Sequence, residues 1–185
     1  MDKLTELRLR FYLWAMEKLK DWVDVVCIGD DFGHQNSQWI SIEMFRKFIK
    51  PRYKELLSTL KKRFGVKILL HSCGAIYPFI ADIIEMGFDA LNPIQLGAKG
   101  MGNTRQLKKE FGDQLTFWGG GVDVQQMLPY ATPQVIEDEV MRRIDDLAPG
   151  GGFVFAATQA IQSDTPPENV MAMWRGLERY GIYPK

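Results

Sequence analysis

The chain has 185 residues, 46% of them hydrophobic, which is enough to bury the core of one domain, and we expect residues 1–185 to form a single domain. Its 23 basic residues balance its 23 acidic residues and no block of like charge occurs, which argues against a nucleic-acid or membrane-surface partner and favours a small molecule. Cys27 and Cys73 do not have the spacing of a disulfide scaffold, and the absence of a signal peptide or a membrane-spanning apolar run favours a reducing, cytoplasmic setting.

The first predicted elements are a helix and a strand. Apolar residues at spacings of three and four predict an amphipathic helix over residues 3–22. The β-branched run 23–28 predicts a strand, which ends in the polar segment 29–36. Ser41 is the predicted N-cap of the next helix, and Pro51 begins a second helical piece that runs through residue 60.

The rest of the chain alternates short apolar runs with segments of helical spacing. The predicted strands are 66–70, 115–118 and 153–157, and 88–95 is predicted as a strand that passes into a loop. The predicted helices are 75–86, 104–111, 134–147 and 167–180. Asp123, three residues before Gln126, resembles a capping box. The pattern is a helix followed by five strand–helix units, which implies an α/β protein with a parallel sheet. Five units do not easily close an eight-stranded barrel, so the residues leave two folds open: a doubly wound sheet, or part of a (β/α)8 barrel.

The strand predicted at 66–70 runs into His71, Ser72, Cys73 and Gly74. If the strand continues, the side chains of His71 and Cys73 share one face, because alternate residues of a strand do so. Imidazole and thiolate together suit zinc, and a site with an open position can activate a nucleophile. The pair is a weak motif by itself, and the alternative is a buried cysteine beside a hydrogen-bonded histidine.

Polar residues also follow the other predicted strands. We assign a catalytic role to Asp31 and His71, and substrate contacts to Asp30, His34 and Asn36. Neighbouring strand residues point to opposite faces, so only one of the two aspartates is expected to face the pocket; a helix or turn cap is the alternative. The polar residues that predict a substrate-binding rim past the other strands are Asn92, Gln95, Asp123, Gln159 and Gln162.

An ordered set of segments, from about residue 20 to the end, resembles the uroporphyrinogen decarboxylase superfamily. The segments are 30–33, 41–53, 71–74, 89–95, 121–123 and 164–170. This resemblance implies a partial (β/α)8 TIM barrel: about five strand–helix units preceded by a helix, without the three N-terminal strands. The superfamily includes tetrapyrrole decarboxylases and corrinoid-dependent methyltransferases that carry zinc. Uncovered sheet edges and apolar helix faces would then drive self-association, and we expect a homo-oligomer.

The pair His71 and Cys73 resembles the methyltransferase branch, since the decarboxylases lack it. In that branch a further cysteine after the last strand completes the zinc site, and alignment on 165–168 puts Gln159 there. A neutral amide is a poor zinc ligand. The resemblance therefore implies that Asp30 or Asp31 completes the site, or that the metal is weak or absent.

The function that this resemblance implies is methyl transfer with a zinc-activated nucleophile. His71 and Cys73 would hold the zinc, and the partner would be a small molecule, a corrinoid or a corrinoid protein. One alternative is metal-free decarboxylation of a tetrapyrrole such as uroporphyrinogen. The other is a non-catalytic tetrapyrrole- or corrinoid-binding module, so the sequence leaves open whether this shortened chain is itself an active enzyme.

Overall fold

A computed structural model describes residues 1–182, in which five parallel strands form one sheet. The strands are β1 (Val25–Gly29), β2 (Lys67–His71), β3 (Ala90–Asn92), β4 (Thr116–Trp118) and β5 (Phe153–Val154). Their order in the sheet is their order in the chain, and helices lie in the segments that connect them. A doubly wound sheet would reverse its strand order at a switch point, whereas a barrel does not. The structure therefore decides between the two predicted folds in favour of a partial barrel.

Seven α-helices within residues 1–182 accompany the sheet. They are α1 (Asp2–Leu19), α2 (Ile42–Met44), α3 (Lys50–Phe64), α4 (Ile80–Met86), α5 (Thr104–Phe111), α6 (Pro133–Leu147) and α7 (Pro167–Tyr180). A π-helical segment, Phe45–Ile49, joins α2 to α3, and a 3₁₀ turn, Tyr77–Phe79, leads into α4. The hydroxyl of Ser41 accepts a hydrogen bond from the backbone N–H of Met44, which confirms the predicted N-cap. None of the described helices combines the length and the apolar composition needed to cross a lipid bilayer.

One face of the sheet packs into the hydrophobic core with the helices. In β1, Val26 and Ile28 are buried, while Val25, Cys27 and Gly29, which alternate with them, are exposed. Cys27 pairs in register with Leu69, which in turn pairs with Ala90, so these three residues share the opposite face. In a closed barrel that opposite face is the interior. The carboxyl ends of the strands form the edge at which barrel enzymes place their active sites.

Several predicted elements differ from the observed ones at their ends. In the strand-to-loop passage predicted over 88–95 the strand is Ala90–Asn92, and the strand predicted over 153–157 is only Phe153–Val154. The capping-box interpretation of Asp123 was wrong. Its side chain accepts hydrogen bonds from the backbone N–H groups of Gln125 and Gln126, but the segment that follows forms turns and no helix. These Asx-type hydrogen bonds therefore pair the backbone N–H groups of a turn rather than those at the start of a helix.

Candidate metal centre

His71 is the last residue of β2, which lies between strands β1 and β3 in the sheet. It pairs in register with Gly29 of β1 and with Asn92 of β3. Its Nδ1 atom lies 2.7 Å from Oδ1 of Asn92, and the Nδ2 group of Asn92 donates a hydrogen bond to the carbonyl oxygen of Trp118 at 2.9 Å. The imidazole is half-buried, and Asn92 holds it through Nδ1. The other ring nitrogen, Nε2, lies on the opposite side of the ring.

Cys73 and Asp31 lie beside that Nε2 atom. The Sγ atom of Cys73 is 3.7 Å from Nε2 of His71, and the backbone N–H of Cys73 donates to Oδ1 of Asp31 at 2.8 Å. One ligand atom from each of the three residues lies within 4.8 Å of the other two. Within residues 1–182, this is the only group of three or more histidine, cysteine and acidic side chains with such an arrangement. Two segments that are distant in sequence, the loop after β1 and the end of β2, therefore converge on one point.

The chemistry of this donor set fits a zinc ion. One imidazole nitrogen, one thiolate sulfur and one carboxylate oxygen are all zinc ligands, and three protein ligands leave a fourth position for a substrate. Burial and the neighbouring Asp31 carboxylate raise the pKa of the Cys73 thiol, while a hydrogen bond from Gln159 opposes that increase. The raised pKa favours the protonated thiol in the absence of a metal ion. A cation bound here would displace that proton.

Gln159 approaches the cluster from the segment that follows β5. Its Nε2 group donates a hydrogen bond to Sγ of Cys73 at 3.2 Å, and its Oε1 atom accepts one from the backbone N–H of Ala160 at 3.1 Å. The amide thus contacts the sulfur through its nitrogen. Such a donor stabilises negative charge on sulfur without adding a metal-binding anion.

The loops after β1 and β2 are fixed to each other, which positions Asp31 against Cys73. The backbone N–H of Phe32 donates to the hydroxyl of Ser72 at 3.0 Å, and the N–H of Ala75 donates to the carbonyl of His34 at 2.9 Å. Gly74 has a φ of +91°, and a Cβ atom placed there would overlap the backbone of the first loop. This close approach requires glycine.

Asp30 faces away from the metal-ligand cluster, although it is adjacent to Asp31 in sequence. Its Oδ2 atom accepts hydrogen bonds from the hydroxyl of Tyr53 at 2.7 Å and from Arg8 at 3.2 Å. These contacts join α1, α3 and the end of β1. Burial and the Asp30 carboxylate raise the pKa of Tyr53. The structure thus places Asp30 in an anchoring network rather than among the potential ligands.

The other residues predicted in the β1 loop lie at the surface. His34 Nε2 is 2.8 Å from the hydroxyl of Ser37, and its ring lies edge-on to Trp39 with the ring centres 5.1 Å apart. Asn36 is exposed on the same loop. Gln162 lies beyond β5 and donates to the carbonyl of Ala160. Their roles in substrate binding stay predictions.

An amide network borders the cluster, and sequence reasoning found only part of it. Gln95 accepts a hydrogen bond from the backbone N–H of Gly74 at 2.8 Å and donates to Oε1 of Gln35 at 3.0 Å. Gln35 donates in turn to the carbonyl of Gly97. Gln38 donates to the carbonyl of Ala75. Gln35 and Gln38 were not predicted, although they follow a strand in the same polar loop as Asp31, which is the signal that could have identified them.

The fold and the site define part of a parallel α/β barrel with a candidate metal centre at the carboxyl ends of its strands. The family model described as uroporphyrinogen decarboxylase (URO-D) matches residues 1–180, and the chain belongs to this family. The predicted resemblance is confirmed.

Two similar proteins illustrate the relationship. The uroporphyrinogen decarboxylase of Alkalilimnicola ehrlichii is 33% identical over 82 residues, which cover 42% of this chain and 22% of that protein. A methyltransferase from Methanosarcina mazei superimposes with a TM-score of 0.69 at 22% sequence identity, over 92% of this chain and 46% of the other. The second likeness shows a common fold. The chain spans about a fifth of the length of the first protein and less than half of the second.

Proposed function

We propose that this chain is the C-terminal part of a URO-D-family barrel that transfers a methyl group from a corrinoid, using zinc held by Asp31, His71 and Cys73. The observation that supports this proposal is the convergence of three different ligand atoms within 4.8 Å of one another at the active-site edge of the barrel. When bound, zinc supplies the Lewis acidity that lowers the pKa of a substrate thiol or hydroxyl and makes it nucleophilic.

The three ligand residues have separate tasks. Cys73 and Asp31 each contribute one negative charge, so together with a neutral His71 they balance a divalent cation. The loop hydrogen bond between Asp31 and the Cys73 backbone holds these two residues together before any ion arrives. Gln159 donates to the sulfur, and so stabilises the thiolate form that a cation requires. The site is therefore assembled in advance.

The substrate would enter beside the amide network of Gln35 and Gln95. Neutral amides hydrogen-bond polar groups without imposing a charge. In this proposal the partner is a small molecule or a corrinoid, presented free or on a corrinoid protein, and the chain works as a homo-oligomer.

Metal-free decarboxylation of a tetrapyrrole is the second candidate. It is supported by the 33% identity to a uroporphyrinogen decarboxylase over 82 residues. We favour methyl transfer because a decarboxylation without metal gives the converging Asp31, His71 and Cys73 side chains no shared task. A binding module without catalysis is the third candidate.

Metal analysis of the purified protein tests the zinc site directly. We expect about one zinc per chain in the wild type, as three protein ligands support, and a loss of bound zinc in Cys73→Ser and in Asp31→Asn. Asp30→Asn is the matched control, because Asp30 is adjacent in sequence but contacts Arg8 and Tyr53 instead. Wild-type protein that binds no zinc, or equal losses in the two aspartate variants, would refute the assignment of ligands.

The reaction is tested with two substrates. Incubation with methylcobalamin and a thiol should consume methylcobalamin in a manner that depends on Cys73. Incubation with uroporphyrinogen should release no carbon dioxide. Carbon dioxide release without demethylation would support the decarboxylase instead, and binding of either compound without reaction would support the binding module.

A further inference from the structure

We infer that Asn92 is a positioning residue that fixes the ring tautomer of His71, so that Nδ1 carries the proton and Nε2 presents its lone pair to Asp31 and Cys73. This inference rests on the proposed function, because the tautomer matters only if His71 binds a metal ion. The arrangement of the hydrogen bonds, however, can be tested in the metal-free protein.

The orientation of the Asn92 amide follows from its contact with β4. The nitrogen Nδ2 can only donate, and it lies 2.9 Å from the carbonyl oxygen of Trp118, which can only accept. Turning the amide over would place two oxygens against each other at that distance. The oxygen Oδ1 must therefore face His71.

The orientation of Asn92 in turn determines the proton on His71. Oδ1 is 2.7 Å from Nδ1 and has no hydrogen to give, so Nδ1 must be the donor. A neutral imidazole carries one proton, which leaves Nε2 with a free lone pair. The Sγ atom of Cys73 lies 3.7 Å from that same Nε2.

The backbone fixes the asparagine on both sides. Its carbonyl oxygen accepts the N–H of Ser72 at 2.7 Å, and its position in β3 is in register with His71 of β2. Trp118, whose carbonyl accepts from Asn92, is the last residue of β4 and pairs in register with Val154 of β5. Three adjacent strands thus determine which nitrogen of His71 can bind a metal ion, as hydrogen bonds to the second nitrogen do in known metal sites.

This role is distinct from the substrate contact predicted for Asn92, which stays a prediction. Both ends of its amide already have protein partners, on His71 and on Trp118. Only the second hydrogen of Nδ2 and the second lone pair of Oδ1 are left for a substrate. Asn92 therefore acts on the site through His71.

Nitrogen-15 NMR of histidine-labelled, metal-free protein measures the tautomer directly. The chain has only two histidines, so His34→Gln leaves the signals of His71 alone. At about pH 8.5, where an imidazole is neutral, we expect a protonated Nδ1 and an unprotonated Nε2. A wild-type ring with its proton on Nε2 would overturn the inference, whatever the variants do.

Two substitutions of Asn92 separate positioning from packing. Asn92→Leu has nearly the same shape and removes the acceptor, so the ring should become a mixture of tautomers and zinc affinity should fall by about 10- to 100-fold. Asn92→Asp keeps an acceptor for Nδ1–H, so the tautomer should be retained. An unchanged tautomer in folded Asn92→Leu would also overturn the inference.

Zinc affinity is measured by competition with a chelator, and circular dichroism confirms that each variant is folded. If the wild type has the expected tautomer but binds no zinc, the proposed function fails while the role of Asn92 stands. If zinc binds but the proton is on Nε2, the role of Asn92 fails while the proposed zinc site stands. The two claims therefore fail separately.

Discussion

The side-chain amide of Gln159 donates a hydrogen bond to Sγ of Cys73 at 3.2 Å, although the two residues are 86 positions apart in the chain. Position 159 therefore lies beside the cluster of Asp31, His71 and Cys73. We therefore predict that Gln159→Cys adds a fourth ligand and raises zinc affinity by at least about tenfold, because thiolate is a far better zinc ligand than an amide.

Competition with a chelator measures the affinity of Gln159→Cys. Gln162→Cys is the matched control: it places a thiol in the same segment, where the native amide contacts the Ala160 carbonyl instead of Cys73. Equal affinities in the two variants would contradict the assigned geometry.

A second prediction concerns the reactivity of Cys73 in the metal-free protein. Burial and Asp31 raise the pKa of this thiol, and alkylation follows the thiolate fraction, so the rate should be low at neutral pH and rise with increasing pH. Asp31→Asn removes a negative charge and should speed alkylation by lowering this pKa. Gln159→Leu removes a donor and should slow it. The experiment uses a Cys27→Ser background, and identical rates in all three proteins would disprove the stated causes.

Much of the fold could be predicted from local patterns. The helix at 104–111 and the N-cap at Ser41 depend on residues a few positions apart, and the structure confirms both. Strand alternation also predicted that His71 and Cys73 share one side; their Sγ and Nε2 atoms are 3.7 Å apart, although the strand ends at His71. Strand ends were less accurate, because parallel pairing with a neighbouring strand, which a single sequence does not show, decides where β3 and β5 stop.

The choice between Asp30 and Asp31 could not be made from sequence. The two are adjacent and chemically identical, and what separates them is distant in the chain. Asp30 contacts Arg8 and Tyr53, 22 and 23 positions away, whereas Asp31 accepts the N–H of Cys73, 42 positions away. Only the packing of α1 and α3 against β1 determines which carboxylate joins the site.

The contact between the two site loops gives a third prediction. Gly74→Ala should destabilise the protein by about 1–3 kcal/mol or more, because its φ of +91° is unfavourable for alanine and the new methyl group would meet the backbone of Gly33. It should also weaken zinc binding, since Cys73 would move. Gly29→Ala is the control, as nothing lies within 4 Å of a Cβ there. Urea denaturation measures the stability of both variants. Similar losses of stability in Gly74→Ala and Gly29→Ala would count against this interpretation.

The Arg8–Asp30–Tyr53 network gives a fourth prediction. Tyr53→Phe should cost about 1–2 kcal/mol, because it removes a hydroxyl that donates to Asp30 and accepts from Arg8 in a largely buried position. Burial and Asp30 raise the pKa of Tyr53 in the folded state, so the folded protein keeps this proton after the unfolded chain begins to lose it. A proton held more tightly when folded contributes stability below the unfolded pKa of about 10 and loses it as pH rises beyond that value.

Denaturation at several alkaline pH values tests the sign of this effect. Wild-type stability should decrease as pH rises above about 10, while Tyr53→Phe should show a smaller decrease. What the wild type would lose there is the favourable contribution of the protonated Tyr53, which the variant lacks from the start. Tyr130→Phe serves as the control, since Tyr130 is 74% exposed. Parallel curves for all three proteins would argue against a raised Tyr53 pKa.

The last prediction concerns self-association through α1. Leu4, Leu7, Phe11 and Trp14 recur at spacings of three and four and are 56–64% exposed, so the helix presents an apolar stripe suited to packing against another helix. We expect oligomers in sedimentation velocity, with a concentration-dependent distribution. Phe11→Glu should shift the protein towards monomer, because it places a charge within the stripe. Val135→Glu, at an exposed position of α6, should leave the distribution unchanged. A wild type that sediments as a monomer at every concentration would contradict the prediction, and an oligomer insensitive to Phe11→Glu would place the interface elsewhere.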